Sequence, residues 1–142
     1  QNDEKLCLPK SEEKIYKYIK EILTKRLKKI AKASKKLHLD APNERFHKLR
    51  LHYKKLRYNA DAVELTQFSK SFKPLQNAFG KVQDKNTQIE RIKRYNTSHS
   101  SCLESIIALL EQELIADKHV CIEKSSKENI VKMREHLDKI FP

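Results

Sequence analysis

Four basic side chains, His47, Arg50, Lys54 and Arg57, stand at relative positions 0, 3, 7 and 10. On a helix turning about 100° per residue, these positions fall within about 80° of one another. Like charges stacked turn upon turn repel and weaken a helix, so the row calls for a negative partner. Asp61, one turn beyond Arg57, can neutralise one member. For the rest the matching chemistry is anion binding: Arg forks onto two oxygens at once, and Lys and protonated His add charge. His47 has two readings, a packed and hydrogen-bonded histidine or a ligand contact. His52 falls on another face and reads as surface. The two histidines are five residues apart, whereas a helical metal pair needs three or four.

The row must be carried by a helix with a separate apolar face. Phe46, Leu49, Tyr53, Leu56, Ala60 and Val63 provide one, and the basic row adjoins it. Residues so placed sit at the mouth of a helix–helix groove. A partner helix is legible upstream, where Ile15, Ile19, Ile22, Leu23, Leu27, Ile30 and Leu37 share one stripe. Arg26 falls inside that stripe and Lys29 at its edge. A charge facing into a bundle is costly unless paired or solvated. Two readings therefore stay open for Arg26: a pair with a buried acid, or a stripe margin that faces an aqueous, anion-filled groove.

Charge distribution favours an anion site. The 142 residues carry a formal net charge of +12. Residues Lys10 to Tyr58 hold 17 Lys and Arg against 5 Asp and Glu, so they account for the whole excess. Solubility alone gives no reason for such segregation, although a solvated basic helix surface is the plain alternative.

The fold class follows from punctuation. Gly80 is the single glycine, and the prolines are Pro9, Pro42, Pro74 and Pro142. A β-rich domain of this length needs many turns that want Gly. Long helices joined by short connections fit instead, and the expected fold is an all-α, antiparallel four-helix bundle with the last helix long or split. Residues 1–10 read as a tail or linker and 11–142 as the helical domain. The first helix is expected to start at a Ser11 cap and end near Leu37 to Pro42. The second is expected from an Asn43 cap to about Phe68, and the third from about Ser71 to Tyr95 with Pro74 in its first turn. Gly80 inside the third helix suggests close approach of a neighbour, and Gln83 and Asp84 are placed to hold side chains of the second. After a polar loop at Asn96 to Ser101, Leu103 to Leu114 opens the fourth helical region. Ser125 with Glu128 resembles a capping box, so a break near Glu123 is expected.

No run approaches the roughly 18 apolar residues of a membrane helix. Residues Gln1 to Leu8 do not read as a signal peptide. The chain has no Met at position 1, as expected of a fragment. Cys7, Cys102 and Cys121 are odd in number and far apart, which favours free thiols in a reducing, cytoplasmic compartment over disulfides or zinc. No Gly-rich phosphate loop, metal-spaced cluster or nucleophile beside a base is evident. The expectation is a non-enzyme with no catalytic residues, no metal ligands and no cofactor.

The stretch FHKLRLHYKKLRYNADAVEL, residues 46–65, resembles the signature of the CHAD domain, the conserved histidine α-helical domain, through His47, Leu49, Arg50, Lys54, Lys55, Leu56, Arg57 and Tyr58. The stretch LQNAFGKVQD, residues 75–84, is similar to the family's second motif through Leu75, Gln76, Gly80, Gln83 and Asp84. Leu51 departs from the pattern, which usually has another basic residue there, and one phosphate contact is weakened accordingly. The resemblance implies two similar four-helix bundles with a basic groove that binds inorganic polyphosphate. Only one His-Leu-Arg motif is present, so the chain resembles the C-terminal half of that unit, and the other half or a second copy as a homodimer is an implied partner. A CYTH triphosphatase domain often accompanies the family, but its Glu-x-Glu-x-Lys signature is missing, so that activity is not carried over. Polyphosphate granules are the implied cellular association.

On this reading polyphosphate lies along a groove between the first two helices, contacted by Arg26, Lys29, His47, Arg50, Lys54 and Arg57, with Lys55 a weaker candidate. Two rivals stay open. The charge also allows nucleic acid, although aromatics are 7% and Trp is absent. An adaptor that docks an acidic protein is the other.

Overall fold

The computed structural model describes residues 13–142, and among them it contains only helices and connections. In chain order these are α1 Glu13–Ser34, α2 Asn43–Ala62, α3 Thr66–Ser71, α4 Lys73–Tyr95, α5 Ser101–Lys124 and α6 Lys127–Ile140. The all-α class is as expected; the last helical region is split into α5 and α6, and the short α3 is an additional helix. The Ser11 cap lies outside the described residues.

Helix α1 stops at Ser34 rather than near Leu37 to Pro42, and two further differences have local reasons. Helix α2 stops at Ala62 instead of near Phe68. The Leu65 N–H donates to the Ala60 carbonyl at 2.9 Å and the Glu64 N–H to that of Asp61 at 3.0 Å. This is a Schellman termination, with Glu64 in the left-handed region at φ 61°. Leu65 and Ala60, the apolar pair that accompanies the motif, are both buried. The chain then turns Phe68 and Phe72 inward through the short α3. At the other end of α2, Asn43 is the first helical residue and does not cap it. The second difference is at the α5–α6 break. Ser126 is the cap, accepting from the Asn129 N–H at 3.3 Å. Ser125 is buried instead and exchanges a 2.9 Å hydrogen bond with the Tyr53 hydroxyl. Burial raises the Tyr53 pKa to about 12.

Helix α2 is the centre of the molecule. Phe46, Leu49, Tyr53, Leu56 and Ala60 are all buried, and α2 packs on α1, α3 and α4. Tyr53 lies 6.0 Å from the Phe72 ring and 5.6 Å from that of Phe79, centroid to centroid. Arg26 meets Asn59, and Arg45 meets the Lys36 carbonyl, so α1 and α2 run antiparallel. Helix α6 returns along α1, where the Tyr16 hydroxyl donates to the Ile140 carbonyl at 3.0 Å. Helix α5 returns along α4, tied by Lys85 and Lys93 to Glu113, Asp117 and Glu111. Among the described residues no helix is long and apolar enough to cross a membrane.

Gly80 does not mark a close approach. A Cβ added there meets nothing within 4 Å. Gly80→Ala is therefore expected to raise unfolding free energy by up to about 1 kcal/mol, read from denaturant midpoints, through helix propensity alone. Tyr53→Phe should cost about 1–2 kcal/mol in the same assay, because it leaves the buried Ser125 hydroxyl without its partner.

Candidate functional site

With five buried residues on one face of α2, its cations divide between two edges. His47, Arg50, Lys54 and Arg57 lie along one edge, as the uninterrupted helix requires. Arg45, Lys48, His52 and Lys55 follow the other. The expected single groove between α1 and α2 is thus two cationic edges. Arg26 and Lys29 of α1 stand with the second edge; the row that begins at His47 faces the α3–α4 side.

On the α3–α4 side Arg57 fixes the geometry. Its Nε donates to the Ser69 hydroxyl at 3.3 Å and its Nη1 to Gln76 Oε1 at 2.5 Å. The α4 residue that holds a side chain of α2 is therefore Gln76, where Gln83 and Asp84 were expected. Gly80 is one turn from Gln76 and leaves open space. The Lys54 ammonium stands 5.8 Å from the centroid of the exposed Tyr58 ring. Arg50 is half-buried, and its Nε is shielded from solvent without a hydrogen-bond partner among the described residues. His47 is exposed. Asp61 forms no ion pair among the described residues.

On the α1 side a cavity of about 470 Å³ is lined by Lys29, Lys32, Ala33, Lys36, Arg45, Lys48 and His52, without a carboxylate. His52 is half-buried here, not surface, and its Nδ1 is shielded and unpartnered among the described residues. Burial, and then Lys48, Lys55, Lys29 and Arg26, hold its pKa below the usual 6.5. Among the described residues Arg26 pairs with no acid; its Nε donates to Asn59 Oδ1 at 3.1 Å. Lys55 is exposed, within electrostatic reach of His52. Wheel positions on single helices missed Lys32, Lys36, Arg45, Lys48 and His52, because only the antiparallel α1–α2 pairing brings them together.

Among the described residues no carboxylate pairs with any of these cations. The ion pairs present lie elsewhere, at Lys85, Lys93, His99 and Arg134. Three arginines of the α1–α2 region are satisfied by neutral oxygens instead: Arg26 by Asn59, Arg57 by Ser69 and Gln76, and Arg45 by the Lys36 carbonyl at 3.1 Å. Neutral acceptors hold a guanidinium in place without cancelling its charge.

The family model of the CHAD domain matches residues 2–93. The chain belongs to the CHAD family. No curated protein and no solved structure matches it. The CHAD match takes in α1, α2, α3 and all but the last two residues of α4, and with them every cation of both edges. Helices α5 and α6 lie beyond it. CHAD domains are associated with polyphosphate binding in general.

The His52 environment sets a pH test. The folded protein disfavours protonated His52 relative to the unfolded chain. This residue's contribution is therefore neutral above about pH 6.5 and becomes destabilising as pH falls below it. An anion in the α1–α2 cavity reverses the preference. In an NMR titration, His52 should titrate below 6.5 in the free protein and shift upward when polyphosphate is added. A His52 midpoint indifferent to polyphosphate would place the anion elsewhere.

Proposed function

We propose that this CHAD domain binds inorganic polyphosphate along the cationic edges of α2, as a binding module without turnover. Arg26, Lys29 and Lys55, joined by Lys32, Lys36, Arg45, Lys48 and His52, form the α1 side of the path. His47, Arg50, Lys54 and Arg57 form the α4 side. What carries this reading is the absence of carboxylate partners among the described residues, together with arginines held by Asn59, Ser69 and Gln76. A surface built for stability would neutralise such charges. One built for an anion positions them and leaves the charge available.

The shielded Nε of Arg50 adds support. A buried donor with no acceptor costs about 1–3 kcal/mol, a cost that phosphate oxygens would remove. The row from His47 to Arg57 is about 15 Å long at 1.5 Å per residue, which suits an extended polymer better than a single phosphate. The second CHAD half or a CYTH domain is the partner that the family suggests, and a cytoplasmic setting is the one the cysteines suggest.

Nucleic acid is the second reading, and one observation favours it: the exposed Tyr58 ring beside Lys54 could stack on a base. Competition at equal phosphate concentration separates the two. Polyphosphate should displace a duplex or single-stranded oligonucleotide, and the opposite order would install the rival.

Arg50→Ala with Arg57→Ala should abolish polyphosphate binding at moderate salt while helicity by circular dichroism is retained. Binding by the wild type should weaken steeply with salt, as counterion release requires. Gln76→Glu tests the reading more sharply. It should hold Arg57 more firmly, yet lower affinity and reduce the salt slope by about one unit. Unchanged affinity in Gln76→Glu would mean that the Arg57 charge is not used.

A further inference from the structure

Helix α5 carries apolar side chains on a face that stays exposed among the described residues. Cys102, Ile106, Leu109, Glu113, Ala116 and Val120 are all exposed. Ile106 is 40% exposed, Leu109 56% and Val120 41%. Their spacing alternates four and three, the 3.5-residue repeat of a helix that pairs with another helix. This stripe is distinct from the inward one, where Ile107, Leu114 and Cys121 are buried. We propose that this face of α5 binds α5 of a second copy of the chain, antiparallel, to give a two-fold homodimer.

Three features of the chain select a second copy and this orientation. The first is charge. Helix α1 holds 8 basic and 2 acidic residues and α2 holds 6 and 2, whereas α5 holds 2 and 5. Copies that meet through α5 keep their strongly cationic faces apart, and a contact through α1 or α2 would bring them together. The second is Glu113, the one charged member of the stripe, held by Lys85 at 2.8 Å. A parallel pairing sets Glu113 against its own copy. An antiparallel pairing centred near residue 111 sets it against Leu109, Ile106 against the small Ala116, and Cys102 against Val120. The third is the flank. Ser105, Gln112 and His119 lie one residue before the stripe positions Ile106, Glu113 and Val120, and they put no lysine or carboxylate across that seam from its copy. A homotypic contact needs this kind of self-complementarity.

The contact leaves both cationic edges of α2 open, so it stands whether or not these edges take polyphosphate. The test uses the full chain. Sedimentation velocity should show a dimer at micromolar concentration, and Ile106→Glu with Leu109→Glu should return it to monomer with circular dichroism unchanged. Both side chains are exposed, so loss of helicity is not expected. The register is read by thiol chemistry in a Cys7→Ser background. Val120→Cys should be joined to Cys102 of the other copy by a short bismaleimide, because within one helix the two sites are about 27 Å apart. Linkage of Cys102 to Cys102 would overturn the antiparallel arrangement. A chain that stays monomeric to high micromolar concentration would overturn the dimer and leave the face to a different partner.

Discussion

Helix α2 buries Phe46, Leu49, Tyr53, Leu56 and Ala60 against three other helices, and that burial dictates where its charges go. A helix with one face fully committed to a core has two edges at the boundary between core and water. Cations placed there keep their stems on apolar surface and their heads at the groove mouth. The two edges meet different neighbours. Toward α4 the amide of Gln76 and the hydroxyl of Ser69 receive Arg57; toward α1 the amide of Asn59 receives Arg26. The core thus does more than stabilise the fold: it sets the spacing of the charges.

Much of this was legible from residue order alone, and the remainder was not, for definite reasons. The row His47, Arg50, Lys54, Arg57 needs only a continuous helix, and Asn43–Ala62 is one. The start of α4 was marked by Pro74 and the break after α5 by Ser125 with Glu128, although the cap is the next residue, Ser126. The end of α2 was not marked, because its left-handed residue is Glu64 and not the glycine that usually signals a Schellman turn. Gly80 misled in the opposite sense: a glycine in a helix suggests a close neighbour, but open space lies beside it. The α1–α2 cavity was invisible because it depends on which turn of α1 lies against which turn of α2. Residues 29, 32 and 36 meet residues 45, 48 and 52 only after antiparallel pairing. His52 looked like surface on its own wheel for that reason.

The two sides of the molecule treat lysine and arginine differently. Between α4 and α5, Lys85 lies 2.8 Å from Glu113 and 3.6 Å from Asp117, and Lys93 lies 3.3 Å from Glu111. Solvent-exposed pairs such as Lys93–Glu111 contribute little to stability, about 0–1 kcal/mol each, but all of these pairs lower the net charge of that side. Between α1 and α2 the cations gather without such partners among the described residues, and the His52 pKa is lowered by burial first and then by Lys48, Lys55, Lys29 and Arg26. Carrying that repulsion has a cost in stability, while on the buried face of the same helix Phe46 packs against Phe79 and Tyr53 against Phe72 and Phe79.

The choice of acceptor is the more telling point. A carboxylate in place of Gln76 or Asn59 would bind its arginine through a charge-assisted bond about twice as strong as a neutral one. It would also cancel the positive potential just where the guanidinium is presented. An amide gives up part of the bond strength and retains the field. Screening in physiological salt acts over about 8 Å, so cations a single helical turn apart still reinforce one another. A ligand with one negative unit per turn or less gathers that reinforcement along its whole length; a compact anion samples only a part of it. The chemistry of the acceptors and the periodicity of the helix therefore both support the partner proposed above, an extended chain of closely spaced negative charge.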